Sequence, residues 1–86
     1  MSTYLLFGNY CSEGFSKVAD RHASRILETV TDFGGKARAM YALLGAFDCA
    51  MIVDFPAIED AMKFSVVMAQ SFGVSFQTMP IIPVEE

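Results

Sequence analysis

Apolar residues recur along this chain with two periods, and the changes between them mark the elements. Thr3 to Tyr10 is rich in Tyr, Leu and Phe and predicts a first strand. A polar connection containing Gly14 follows. Phe15, Val18, Ala19, Ala23, Ile26, Leu27, Val30 and Phe33 then recur at helical spacing, which predicts a helix over about 16–33 with one apolar stripe. Gly34-Gly35 stops that helix. The pair lies after a helix rather than before one, so it does not form a phosphate loop.

The stretch from Met40 to Pro56, MYALLGAFDCAMIVDFP, predicts a hairpin of strands 36–44 and 48–55 around the turn Gly45-Ala46-Phe47-Asp48. Nearly every position of both strands is apolar, the mark of a sheet covered on both faces rather than one with a wet side. Pro56 breaks the second strand and suits a helix start. A second helix is expected over about 57–72, with Glu59 and Asp60 at the positive end of its dipole. Gly73 ends it, and 74–82 is a last strand whose Pro80 and Pro83 place it at a sheet edge.

The order β-α-β-β-α-β, with right-handed crossovers, predicts an α+β fold of ferredoxin-like type. It has a four-stranded antiparallel sheet with both helices on one face. The other face is left bare over roughly 400 Å² in plan. A patch of that size is comparable with the largest that a soluble monomer exposes. A two-fold homodimer, sheet against sheet, is the simplest way to cover it.

Composition strengthens this expectation. The 86-residue chain is 53% apolar and 19% charged, against about 25% charged for an average protein. A domain this small has more surface per residue and should be more polar than average. The net charge of −4 with six basic residues argues against nucleic acid as a partner. No basic leader and no run of ~20 apolar residues predicts a membrane segment, so a cytoplasmic protein is expected. Cys11 and Cys49 lack metal-type spacing. No metal and no cofactor is expected, and Cys49 is read as a packed, reduced thiol.

Three segments, TYLLFGNYCSEG, the Arg-containing first helix and FGGKARAMYALLGAFDCAMIVDFP, resemble the GYD-domain family over nearly the whole chain. The family's Gly-Tyr-Asp signature corresponds here to Gly45, Phe47 and Asp48, with Ala46 intervening and Phe47 in place of tyrosine. That replacement removes a phenolic hydroxyl and leaves a packing role. The resemblance implies a fold similar to the dimeric α/β-barrel proteins; it implies no particular reaction.

Candidate chemistry is sparse. If Leu44 pairs with Cys49, Tyr41 faces Ile52, and Asp54 becomes its diagonal neighbour on one sheet face. With His22, the only histidine, they form a candidate pocket lining between sheet and helices. Against it stand a Tyr41 hydroxyl bonded to the backbone, Asp54 facing water, and a partly buried His22 with a single partner. Asp48 is expected to accept N–H bonds within its own turn. Lys17, Arg21 and Arg25 precede Glu28 and Asp32 on the first helix, against the helix dipole. Arg21 and Arg25 are candidates for an anion or for an interface between antiparallel copies, though a solvated face with no special role is the leading explanation. On the second helix Ile58, Ala61, Met62, Met68, Ala69 and Phe72 can face the sheet. Phe64 and Val67 would then need another cover, for which the tail MPIIPVEE is a candidate.

Two functions follow as expectations. The first is a homo-oligomer that binds or transforms a small organic molecule between sheet and helices. The second is a non-catalytic assembly domain working through its apolar sheet face.

Overall fold

The computed structural model describes residues 2–10 and 15–84, with side chains described over those ranges apart from 15–23. The elements follow the expected order: β1 (Ser2–Tyr10), α1 (Phe15–Asp32), β2 (Lys36–Ala42), β3 (Cys49–Phe55), α2 (Ile58–Val67) and β4 (Val74–Ile81). The four strands form one sheet in the order β2-β3-β1-β4, and every neighbouring pair is antiparallel. This is the ferredoxin-like arrangement, with helices on one face.

Residues alternate between the two sheet faces. On the helix side, Leu6, Met51, Val53 and Phe55 have no exposed surface, nor do Ala61, Phe64 and Met68 from the second helical segment. Ile26 and Val30 bring α1 into the same core. Aromatic contacts run from Tyr4 to Phe55 (ring centroids 6.0 Å apart) to Phe64 (5.5 Å) to Phe76 (5.6 Å), all within the range where tilted rings attract. Phe55 and Phe64, fully buried, each contribute about 1.5–3 kcal/mol by leaving water.

The chain turns sharply from α1 into β2. Gly34 takes the left-handed conformation (φ 78°), and the Gly35 N–H reaches the Val30 carbonyl at 2.9 Å. A Cβ on Gly35 would lie 2.8 Å from the Phe55 ring and 2.9 Å from the Asp54 carbonyl oxygen. The glycine pair is therefore a helix stop whose second member lets β2 press against β3.

Two expectations need correction. The hairpin register is shifted: Ala42 pairs with Cys49 and Tyr41 with Ala50, and Leu44 lies in the loop, 99% exposed. The loop spans 43–48 because it is bonded to β1 as well as to itself. A bulge between Ala37 and Ala39 then takes up Arg38.

The buried face of α2 is also different. Phe64 is in the core with Ala61 and Met68, whereas Ile58 and Met62 are exposed. The spacing 61-64-68 puts Phe64 between Phe55 and Phe76, and that aromatic packing selects the face. The helical segment ends at Phe72 and Gly73 as expected, and its last turn, Met68–Phe72, is π-helical. The wider turn keeps Met68 buried while Phe72 packs at the edge of the core.

Candidate functional site

Among the described residues, no helix lies on the sheet's other face. That face presents Leu5 and Phe7 from β1, Ala39 and Tyr41 from β2, Ala50 and Ile52 from β3, and Met79 from β4, with polar Asn9, Ser75 and Gln77 beside Phe7 at the hairpin end, as the strand pairing requires. Leu5 and Ile52 are direct partners in the two central strands. Tyr41 is exposed, and Leu5, Phe7, Ala39, Ile52 and Met79 are half-buried. The total accessible surface of 5603 Å² exceeds the approximately 5,000 Å² expected for a folded monomer of this mass. The shortest dimension, 17 Å, matches one sheet plus one helix layer. The described residues thus form two layers, and none of them covers the other side of the sheet.

A polar cluster interrupts this face at one end. Asp54 is only 6% exposed, yet it lies at the sheet surface, covered by the side chains that bind it. The Thr3 hydroxyl donates to its Oδ1 at 2.6 Å and the Arg38 Nε–H donates to its Oδ2 at 2.6 Å. The Thr3 bond and then the Arg38 bond hold the Asp54 carboxyl below its ordinary range. The bulge residue Arg38 remains 61% exposed, and the pairing engages only its Nε edge.

The family hairpin residues act together at the opposite end. Gly45 has φ 130°, and a Cβ placed on it would meet nothing within 4 Å, so its backbone shape rather than space favours glycine. Phe47 stacks on Phe7 at 4.9 Å and 25° between planes, which extends the apolar face beyond the strands. Asp48 does not bond within its own turn as expected. Its Oδ2 accepts the Tyr10 N–H at 2.8 Å, and its own N–H donates to the Gly8 carbonyl at 2.8 Å. Asp48 therefore joins the hairpin loop to β1 from a position 38 residues away.

Beside it, on the helix side, the Tyr10 phenol is hydrogen-bonded to Cys49. Burial, with smaller contributions from Cys49 and the Asp48 charge, pushes Tyr10 up to about 12. Burial also pushes the Cys49 thiol up, partly offset by the Tyr10 bond. A protonated, buried thiol is a poor nucleophile, so this pair has a packing role. Gly8 is part of that packing, since a Cβ there would come within 2.6 Å of the Phe76 ring and 2.9 Å of Cys49 Sγ.

Tyr41 and Asp54 share a face, but it is the open face and not the one toward the helices. They are not diagonal neighbours either. Tyr41 is opposite Ala50 and Asp54 is opposite Lys36, four residues or about 13 Å along β3. The register shift of two residues preserves the face and removes the proximity. The side chains of His22 and Arg21 lie outside the described residues, as do Cys11 and Gly14. The Arg25 guanidinium lies 6.0 Å from the centre of the Phe72 ring, within cation–π range. Among the described residues, no three His, Cys, Asp or Glu side chains are grouped to hold a metal ion. No helix among them is long and apolar enough to cross a membrane.

Sequence reasoning misses Thr3 and Arg38. Arg38 does carry a visible signal: a basic residue within an apolar strand, with an acidic one in the strand predicted to pair with it. Thr3 carries none, because its pairing with Asp54 depends on the β1–β3 register. No curated protein is significantly similar to the chain. Residues 4–86 match the GYD domain, and with the hairpin of Gly45, Phe47 and Asp48 tied into the sheet, the chain belongs to the GYD domain family.

Proposed function

We propose that this protein is a homo-oligomeric interaction domain that pairs with a second copy through its open sheet face. The observation that carries the reading is the central apolar pair Leu5–Ile52, flanked by Phe7, Ala39, Ala50 and Met79 and covered by none of the described elements. A stable interface needs about 800 Å² from each partner. The strand face, roughly 400 Å² in plan, supplies part of that area, and Phe47 and Tyr41 at its margin extend it. Apolar area released from water supplies the association energy, at roughly 25 cal/mol per Å² before the entropic cost of pairing. The Arg38–Asp54–Thr3 cluster supplies the polar margin typical of such interfaces. It also disfavours a slipped sheet-on-sheet register, which would bury Arg38 against apolar residues.

Binding of a small molecule between sheet and helices has less support. Core side chains fill the centre of that interior, the one groove described between α2 and β4 opens at its edge, and Tyr41 and Asp54 lie on the far side of the sheet. Cytoplasmic location accords with the buried free thiol of Cys49.

Substituting Ile52→Glu tests the reading, because it places a charge at the centre of the face while the helix-side core is untouched. The particle mass by native mass spectrometry should fall from a multiple of 9.4 kDa to a single chain. An unchanged multiple in a folded variant would assign assembly to another surface.

A further inference from the structure

The groove at the edge of the sheet–helix interior has a polar feature that the filled centre lacks. It has a volume of about 370 Å³ and lies between α2 and β4. Phe76, Thr78 and Pro80 form its floor, with Tyr4 opposite Pro80 on β1. Its wall is α2, where Ala61 is fully buried and Met62 and Val66 form an exposed rim.

Three hydroxyl-bearing side chains line this groove, and they are not equivalent. The Ser65 hydroxyl donates to the Ala61 carbonyl at 3.0 Å. The Thr78 hydroxyl is therefore the donor to Ser65 Oγ, and both protons are used within the wall. Tyr4 differs. It is only 2% exposed, its ring packs 6.0 Å from that of Phe55, and its hydroxyl has no hydrogen-bond partner among the described residues. A buried tyrosine hydroxyl normally finds a partner, and leaving the donor unpaired costs stability. An occupant of the groove would restore that bond.

We propose that the groove binds a small neutral molecule, an aromatic ketone or aldehyde, whose carbonyl oxygen accepts the Tyr4 hydroxyl proton.

Volume, lining and charge select this class. The volume lies at the lower end of the range for small-molecule sites, which suits one or two rings rather than a nucleotide or a peptide. Apart from the three hydroxyls the lining is apolar. The Tyr4 and Phe76 rings offer surfaces to an aromatic body, and the unbranched Met62 side chain at the rim adapts to its shape.

Charge argues against an anion. Ile58 lines the groove, and Glu59 and Asp60 follow it in the first turn of α2. No basic residue is among the described lining. A carboxylate would be taken from water without a countercharge, close to two charges of its own sign. A neutral carbonyl takes the phenol's hydrogen bond without that cost.

The groove is on the helix side of the sheet, so its occupation does not depend on pairing through the open face. The test uses full-length protein and three probes of similar size: acetophenone, isopropylbenzene, which lacks the oxygen, and benzoate. Each is titrated while the methyl signals of Ala61, Met62 and Thr78 are followed by nuclear magnetic resonance. Acetophenone should shift these signals saturably and bind about fivefold or more tighter than isopropylbenzene, as one added hydrogen bond implies. Benzoate should bind more weakly than acetophenone.

Tyr4→Phe should lower the acetophenone affinity to that of isopropylbenzene and leave isopropylbenzene unchanged. The substitution removes only the unpaired hydroxyl, so the variant is expected to fold. If it does not, the unmodified protein supplies a second measurement. Nuclear Overhauser contacts should then run from the acetophenone methyl group to the Tyr4 ring protons. The proposal is overturned by shifts that do not saturate, by benzoate binding tightest, or by full acetophenone affinity in Tyr4→Phe. Contacts from bound acetophenone only to residues outside the groove would overturn it as well.

Discussion

The two faces of the sheet differ in composition and in what covers them: the helix side is almost continuously apolar, whereas the open side sets Leu5, Phe7 and Ile52 among Asp54, Asn9, Ser75 and Gln77. On the helix side, Leu6, Met51, Val53 and Phe55 are sealed under Phe64 and Met68. On the other side, Leu5, Phe7 and Ile52 alternate with them along the same two strands and have no described helix above them. Apolar character in a strand reports that a face is suited to being covered, and does not report by what. Two helices cover one face of the four-stranded sheet, and no described element covers the second. The same division recurs on α2, where Phe64 faces inward and Met62 outward on a helix that is apolar nearly all round.

The difference between the faces has consequences of graded size. The largest effect is expected from Phe64→Ala, which opens a cavity between Phe55 and Phe76 and should cost about 3–5 kcal/mol. For a domain of this size that approaches the whole folding free energy. Denaturant titration should show the variant largely unfolded in buffer, whereas Ile52→Ala should fold normally and lose affinity for its partner. If both changes cost the same at a concentration where the protein is dissociated, the two faces would not differ as described.

A smaller effect is expected where β2 meets β3. Gly35→Ala forces a methyl against the Asp54 carbonyl oxygen and the Phe55 ring, and should cost about 1–3 kcal/mol as an overpacked site. Thermal unfolding would check it, with Gly45→Ala as a comparison in which the cost comes from backbone conformation alone.

The smallest effect, and the one confined to the open face, concerns pH. The Asp54 carboxyl is held below its ordinary range, so the folded state favours the ionised form. That contribution is complete above the ordinary aspartate value of about 3.9. It is lost as pH falls through the lower folded value, so stability declines toward acid. In Asp54→Asn the acid-side slope of unfolding free energy against pH should flatten. A slope identical to that of the unmodified protein would mean that the Thr3 and Arg38 bonds do not hold the carboxylate in solution.

Much of this arrangement is legible in the sequence. The element order, the helix stop at Gly34-Gly35 and the uncovered sheet face follow from periodicity and length. The division of β3 into a Met51-Val53-Phe55 face and an Ile52-Asp54 face also follows, because side chains alternate whatever the register. The rest depends on distant partners. The loop at 43–48 is shaped by the bond from Tyr10 to Asp48, and no local pattern announces a contact 38 residues away. The Arg38 bulge and the longer loop change which residues face each other, and so separate Tyr41 from Asp54. Periodicity cannot choose the buried face of α2, because apolar residues on all sides satisfy several faces equally. Phe55 and Phe76, on two different strands, make that choice.

The central claim is that a second copy covers the Leu5–Ile52 face in solution. The most direct measurement mixes isotope-labelled and unlabelled chains and records only nuclear Overhauser contacts between them. Contacts from the Ile52 and Leu5 methyl groups to protons of the unlabelled chain are expected, lost on substitution of Ile52 by glutamate. Intermolecular contacts confined to other surfaces, with the Ile52 methyls seeing only water and their own chain, would contradict it.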